Sequence, residues 1–191
     1  MILDYEALMK EQNIFIGRPA DCDSRLEKEV AVYDVLDRLG IVYARMDHEA
    51  IATIEGCRLV DKALGITICK NLFLCDRKKE KFYLLMMPGT KRFHTGEFSR
   101  QIGSSRLSFA PEEYLLKYLN VTPGSVSVMG FMNDSENKVQ LCIDRDVIAN
   151  EYVGCHPCIN TTSLRLMSRD LIEKFLPYVK HDYLTVDLPK E

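Results

Sequence analysis

The stretch from Thr67 to Asp76, Thr-Ile-Cys-Lys-Asn-Leu-Phe-Leu-Cys-Asp, constrains this chain more than any other. Its apolar members include β-branched, aromatic and thiol side chains, and it is bounded by Gly65 and by the charged run Asp76-Arg77-Lys78-Lys79. That pattern predicts a central strand. Lys70 and Asn71 fall in its middle. A lysine in a buried strand is costly unless its ammonium reaches water or an anion. Two readings are open. Lys70 lies near a strand end and snorkels to solvent, or it is a fixed cation on the floor of a site, ready for a phosphate or carboxylate.

A chain of 191 residues can bury one full hydrophobic core and is short for two. Hydrophobic residues at 47% and charged residues at 28% describe an ordinary globular protein. The amino terminus, Met-Ile-Leu-Asp-Tyr-Glu, has no basic segment followed by an apolar block, and no apolar run approaches the roughly 20 residues that span a bilayer. A cytoplasmic protein with no membrane partner is expected. The net charge of −3 argues against bulk non-specific binding of nucleic acid. Between Arg77 and Arg106, however, eight basic residues face two acidic ones, a local balance of +6. Such a face is either plain solvated surface or one that steers a polyanion without gripping it. The seven cysteines are odd in number and mostly embedded in apolar stretches, as reduced cysteines of a cytosolic protein are.

Along the chain, residues 1–23 read as an appendage, a short helix over Asp4 to Glu11 followed by an irregular segment. The domain proper, 24–191, opens with a capping box of Ser24 and Glu27. Leu26, Val30, Tyr33, Leu36 and Leu39 then form one helical face that Gly40 closes. A strand over Ile41 to Met46 precedes a second helix, capped by Thr53 and stopped by Gly65, with Ile54, Cys57, Val60 and Leu64 inward. The Lys70 strand and Lys81 to Met87 read as a hairpin. Thr95 caps a short helix, Arg106 to Ala110 is a strand, and Pro111 opens a helix to Asn120. Ser125 to Met129 and Lys138 to Ile143 read as strands, as do Glu151 to Val153 and Thr162 to Leu166. Ser168 caps a last helix with Leu171 and Phe175 inward. Strands and helices mix without regular alternation, which predicts a single α+β domain, a mixed β-sheet flanked by helices.

The second informative stretch is Gly154-Cys155-His156-Pro157-Cys158-Ile159-Asn160-Thr161-Thr162-Ser163. A glycine, a pre-proline histidine and a run of hydroxyl and amide side chains form a turn rich in polar groups. It either caps itself or presents N–H groups and side chains to a small substrate. A closed zinc site at Cys155, His156 and Cys158 would need four ligands in all, usually from two knuckles, and the sequence has no second Cys-x-x-Cys. A thioredoxin-like dithiol belongs at a helix start, whereas a strand follows here. No metal and no cofactor is expected. His48 and His94 stand isolated, and no Ser-His-Asp or Cys-His-Asn spacing is present.

Four stretches together resemble one family. They are Lys70-Asn71-Leu72-Phe73-Leu74 with Asp76; Arg106-Leu107-Ser108-Phe109-Ala110; Thr122-Pro123-Gly124-Ser125-Val126 with Asn133-Asp134; and His156-Pro157 with Asn160-Thr161. In order and spacing, over roughly Ser24 to Leu188, they resemble the prolyl-tRNA editing (YbaK-type) family, nearest to its free-standing alanyl-tRNA(Pro) deacylases. The resemblance implies hydrolysis of the ester between an amino acid and the terminal adenosine of tRNA(Pro). It implies a catalytic role for Lys70 and a substrate pocket that includes Asn71, Gly130, Gly154, Cys155, His156, Pro157, Asn160 and Thr161. Arg77, Lys78, Lys79, Lys91 and Arg92 would face the tRNA. The partners implied are the acceptor end of mischarged tRNA(Pro) and, optionally, prolyl-tRNA synthetase. Two departures stand out: Val128 takes the place of the family's usual proline, and His94-Thr95-Gly96-Glu97 that of its Asp-Leu-Lys. The alternatives are a binding module that grips charged tRNA or a synthetase without turnover, and a deacylase preferring another amino acid such as cysteine.

Overall fold

The computed structural model describes residues 13–50, 54–67 and 69–189, with the side chains of 54–57 left aside. The expected helix over Asp4 to Glu11, the Thr53 cap and the inward Ile54 and Cys57 side chains lie outside the described residues. The chain forms an α+β domain built on two sheets rather than one. The first is antiparallel throughout, in the order β1 (Ile14–Ile16), β2 (Tyr43–Asp47), β8 (Thr162–Met167), β7 (Tyr152–Cys155). The second is mixed, in the order β5 (Leu107–Phe109), β3 (Cys69–Asp76), β4 (Phe82–Pro88), β6 (Val139–Asp144), β9 (Tyr183–Val186). Its β5, β3 and β4 are antiparallel, and β4, β6 and β9 run parallel.

The centre of the mixed sheet is β4, whose first six residues are all buried. Alternation sends Phe82, Leu84 and Met86 to one core and Tyr83, Leu85 and Met87 to another. The first core is the larger. It takes Leu164 and Leu166 from the other sheet, Val32, Tyr33 and Leu36 from helix α1 (Glu27–Arg38), and Leu115 and Leu119 from the helix over Glu112–Leu119. The second lies under α3 (Thr95–Gln101) through Phe98. Helix α2 (Ile54–Leu64) covers the first sheet, where Val60 and Leu64 meet Ile14 and Ala44. The helix over Glu112–Leu119 is α4, Arg145–Ala149 is α5, and residues 168–178 form α6, whose middle, Leu171–Phe175, winds as a π-helix. Among the described residues, no helix is long and apolar enough to cross a membrane.

Several local expectations are corrected. Ser24 does not cap α1: its hydroxyl donates to the Asp21 carbonyl within a 3-10 turn, and Leu26, 59% exposed, takes the N-cap position. His94, not Thr95, precedes the first residue of α3. The apolar run Val126 to Met129 is not a strand. Ser127 Oγ accepts from the Met129 N–H and starts a 3-10 helix over Val128–Asn133 instead. The segment read as irregular contributes β1, which pairs with β2. β3 is not the central strand: β4 pairs with Cys69 to Cys75, but β5 pairs only with Leu74, Cys75 and Asp76. Among the described residues, the Lys70 end of β3 is therefore a free edge.

Candidate active site

That edge forms one wall of a pocket of about 450 Å³, within the size range of small-ligand sites. Thr67, Cys69, Lys70 and Asn71 line it from β3 and its approach, Gly89 and Thr90 from the end of β4, Gly124 and Val126 from the turn after α4, and His156 from the β7–β8 loop. Arg58 and Asp61, three apart on one face of α2, complete it. A second groove of about 600 Å³ shares Thr67, Cys69 and Thr90 and continues toward Lys91, Asp146 and Asn150.

Lys70 is exposed, not a buried mid-strand cation, because it is the second residue of β3 on the unpaired edge. Its Nζ donates to the Lys91 main-chain carbonyl at 3.0 Å. One of three ammonium donors is thus used, by a neutral acceptor that leaves the charge intact. Beside it, the Asn71 side-chain oxygen is buried without a donor among the described residues. An unpaired buried acceptor costs roughly 1–3 kcal/mol, so a donor on a ligand would be favoured there.

The histidine loop is fastened from three sides. His156 Nδ1 donates to the Thr162 carbonyl at 3.0 Å, which puts the ring proton on Nδ1 and leaves Nε2 an acceptor. Burial holds the imidazole below its ordinary pKa, so it stays neutral at neutral pH. The Ser127 hydroxyl donates to the His156 carbonyl, and the His48 N–H donates to the Thr161 carbonyl at 2.9 Å. Cys158 turns the loop with a left-handed φ of 61°. Beneath it, Thr162 Oγ1 donates to Asp47 at 2.9 Å. Although burial opposes it, hydrogen bonds from Arg25, Arg45 and Thr162 hold the Asp47 carboxyl at a pKa of about 2. His48 Nε2 and the Ser163 hydroxyl meet at 2.9 Å.

The structure brings Lys70, Asn71 and His156 together. Gly154, Cys155, Pro157, Asn160 and Thr161 are not in the pocket lining: Gly154 and Cys155 end β7 and, with Pro157, are buried, while Asn160 and Thr161 are on the same loop as His156. The Cys155 side chain belongs to the main core, as does Cys158. Burial pushes the Cys155 thiol up and those of Cys158 and Cys69 up to about 12, so none is a thiolate at neutral pH. Among the described residues, no three His, Cys, Asp or Glu side chains are grouped as a metal ion requires. Gly130 stands apart from the pocket lining, packed on Leu119.

The basic face needs one correction. Lys91 does not face solvent, and its side chain, 3% exposed, points inward to Asp144 because only there does its ammonium meet two carboxylates. Arg77, Lys78, Lys79 and Arg92 are exposed. Arg92 follows the lining residue Thr90 by two positions, whereas Arg77 to Lys79 form the β3–β4 turn at the far end of the hairpin, about 23 Å away along the strand. Sequence reasoning missed Arg58 and Asp61, whose only signal was their i, i+3 spacing. It also left Gly124 and Val126 as motif residues without a role.

A pocket between two sheets, with a lysine at a strand edge and a neutral histidine on a braced loop, defines a candidate small-ligand site. The chain belongs to the aminoacyl-tRNA editing domain family, whose model matches residues 48–174. It is 32% identical over 163 residues to the prolyl-tRNA editing protein ProX of Acetoanaerobium sticklandii, covering 85% of this chain and 99% of that protein. It is 30% identical over 164 residues to prolyl-tRNA synthetase associated domain-containing protein 1 of Danio rerio, covering 85% and 86%. Its fold matches the crystal structure of a candidate trans-editing enzyme for prolyl tRNA synthetase with a TM-score of 0.63 at 19% identity, over 88% of this chain and 99% of that one.

Proposed function

We propose that this protein is a trans-editing hydrolase that deacylates mischarged tRNA(Pro), with alanyl-tRNA(Pro) as its main substrate. The reading rests on the family and on one observation: Lys70 and His156, the latter a neutral imidazole, line the same small-ligand-sized pocket from different elements. An aminoacyl ester is already activated, so no covalent intermediate is needed. A positioned water attacks the carbonyl carbon, and the charge that develops on the carbonyl oxygen is met by fixed donors. Lys70 keeps two N–H groups for that oxygen or for the terminal phosphate. The buried Asn71 oxygen accepts from the substrate's ammonium or hydroxyl. The ribose hydroxyl next to the ester takes a proton from the attacking water and passes its own to the departing ribose oxygen as the ester C–O bond breaks, so no protein base is required. His156 forms the wall that admits alanine and refuses the pyrrolidine ring of proline, since steric refusal discriminates where an extra methylene gains only ~1–3 kcal/mol. The exposed Arg92 and the Arg77–Lys79 turn offer positive charge to the acceptor stem.

The test is deacylation of alanyl-, cysteinyl-, seryl- and prolyl-tRNA(Pro) by the wild type and by Lys70→Ala. The expected result is turnover highest on the alanyl ester and a loss on the order of 10²-fold in a folded Lys70→Ala protein. Near-wild-type turnover by that variant would sink the assignment of Lys70. Tight binding of charged tRNA with no turnover of any ester would make the protein a binding module instead.

A further inference from the structure

We propose that Lys91 is a positioning residue for Lys70: its buried ion pair with Asp144 fixes the main-chain carbonyl that holds the Lys70 ammonium. The inference rests on the reading of Lys70 as the group that stabilises the developing charge. A lysine side chain carries about 2 kcal/mol of rotamer entropy, and a site cation must be held to within about 0.5 Å to act. Lys70 is exposed on a free edge, so its own strand does not supply that hold. The Lys91 carbonyl, 3.0 Å from Nζ, does.

That carbonyl lies in the irregular link between β4 and α3, tied to the strand end by the Lys91 N–H donating to the Pro88 carbonyl at 3.1 Å. Phe93 packs the link against the second core, and at the carbonyl itself the Lys91 side chain anchors it to the interior. Its Nζ lies 2.8 and 3.0 Å from the two Asp144 oxygens and 3.2 Å from Asp146. Side-chain exposure is 3% for Lys91 and 0% for Asp144. Asp144 is itself held by backbone donors. It ends β6, its Oδ1 accepts from the Asp146 N–H at 2.9 Å to cap α5, and its Oδ2 accepts from the Leu188 N–H at 3.1 Å. Burial alone would lower the Lys91 pKa, but the two carboxylates outweigh it and keep the ammonium charged.

Stability does not account for such a pair. Burying two charges costs several kcal/mol per ion, and a well-packed apolar pair of similar volume commonly does as well. Geometry does account for it: a charge-assisted pair fixes one carbonyl against the centre of the sheet. A neutral carbonyl, unlike a carboxylate, orients Lys70 without cancelling its charge.

The test is a double-mutant cycle on alanyl-tRNA(Pro). Lys91→Met with Asp144→Asn removes both charges together, so that neither is left buried alone, and keeps an oxygen for the α5 cap. In the protein that retains Lys70, kcat is expected to fall about tenfold with KM within about twofold, since displacements well under 1 Å already cost rate. In the Lys70→Ala background the same change is expected to have no further effect. An unchanged kcat, or an equal fall in both backgrounds, overturns the positioning role, because a merely structural pair would loosen both proteins alike. If Lys70→Ala alone keeps the wild-type kcat, the assignment of Lys70 fails first and the positioning role falls with it. Should the double variant not fold, Asp144→Asn alone, which leaves Lys91 its Asp146 contact, is expected to lower kcat about threefold only where Lys70 is present, and equal values overturn the proposal.

Discussion

Gly130→Ala separates a packing role from a substrate-binding one at a residue whose sequence context suggests the second. A Cβ at this position would stand 2.9 Å from the Leu119 carbonyl oxygen and 3.0 Å from Leu119 Cβ. Neither neighbour can yield easily. Leu119 ends α4, and its carbonyl accepts from Asn133 Nδ2 at 3.2 Å, the same nitrogen that donates to the Gly130 carbonyl at 3.2 Å. The added methyl therefore overpacks the contact and spreads the two carbonyls that Asn133 clamps. Overpacking costs roughly 1–3 kcal/mol and a loosened hydrogen-bond clamp about 1 more, so the sum is about 2–4 kcal/mol. For a chain of this length each kcal/mol moves Tm by roughly 2–4 °C, which gives a drop of about 5–15 °C. The assay is a thermal melt followed by circular dichroism, paired with initial rates on alanyl-tRNA(Pro) at a temperature where both proteins are folded. A lowered Tm with kcat/KM within about threefold is expected. An unchanged Tm with a fall of more than about tenfold in kcat/KM would refute the packing argument and return Gly130 to the site.

His156→Ala is expected to enlarge the pocket, slow alanine removal and raise the relative rate on cysteinyl- or prolyl-tRNA(Pro); an unchanged ratio in a folded variant would pass discrimination to other walls. Cys155→Ser and Cys158→Ser each put a hydroxyl into the main core and should lower stability by about 1–3 kcal/mol, with kcat within about tenfold. A folded double variant with no activity would revive a role for the thiols. The pH dependence of stability is set in part by Asp47, whose folded-state pKa of about 2 lies below the ordinary 3.8. A depressed carboxylate stabilises fully above its ordinary value and loses that contribution as pH falls through the folded one. The urea midpoint of the wild type should therefore drop toward that of Asp47→Asn between about pH 4 and pH 2, and parallel midpoints across that window would contradict the Arg25–Asp47–Arg45 network.

Where side-chain periodicity carried the information, the fold was legible in advance. The α1 face of Tyr33 and Leu36, the glycine stops at Gly40 and Gly65, the β3–β4 hairpin and the closing helix with Leu171 and Phe175 all follow from apolar spacing and punctuation. What escaped depends on partners distant in sequence. Ile14–Ile16 is a strand only because β2 offers it an edge, and Tyr183–Val186 because β6 does. Val126 to Met129 has strand composition, but the Ser127 hydroxyl and the close approach of Gly130 to Leu119 bend it. Within the site, Lys70 and His156 stood out through local oddity, a cation in an apolar run and a histidine before proline. Lys91 looked like one more surface cation, because nothing near residue 91 announces that its carboxylates wait at 144 and 146.

The strand order has a consequence for how the protein is made. β2 lies beside β8, and β4 beside β6, so strands from the first half of the chain wait for neighbours from the second. Lys70 and His156, which face the same pocket, are 86 positions apart. During synthesis the β3–β4 hairpin can close early, since its contacts are local, but one side of β4 and one side of β2 remain bare until the last third of the chain arrives. Bare apolar edges of this kind invite pairing with other chains. A nascent chain stopped before Tyr152 would carry the lysine and half its surroundings, yet it would have no opposing wall and would leave β2 lacking its β8 partner. A closed pocket therefore forms only once the segment from β7 to β8 has been made, and the interval before it is the period of greatest exposure to aggregation.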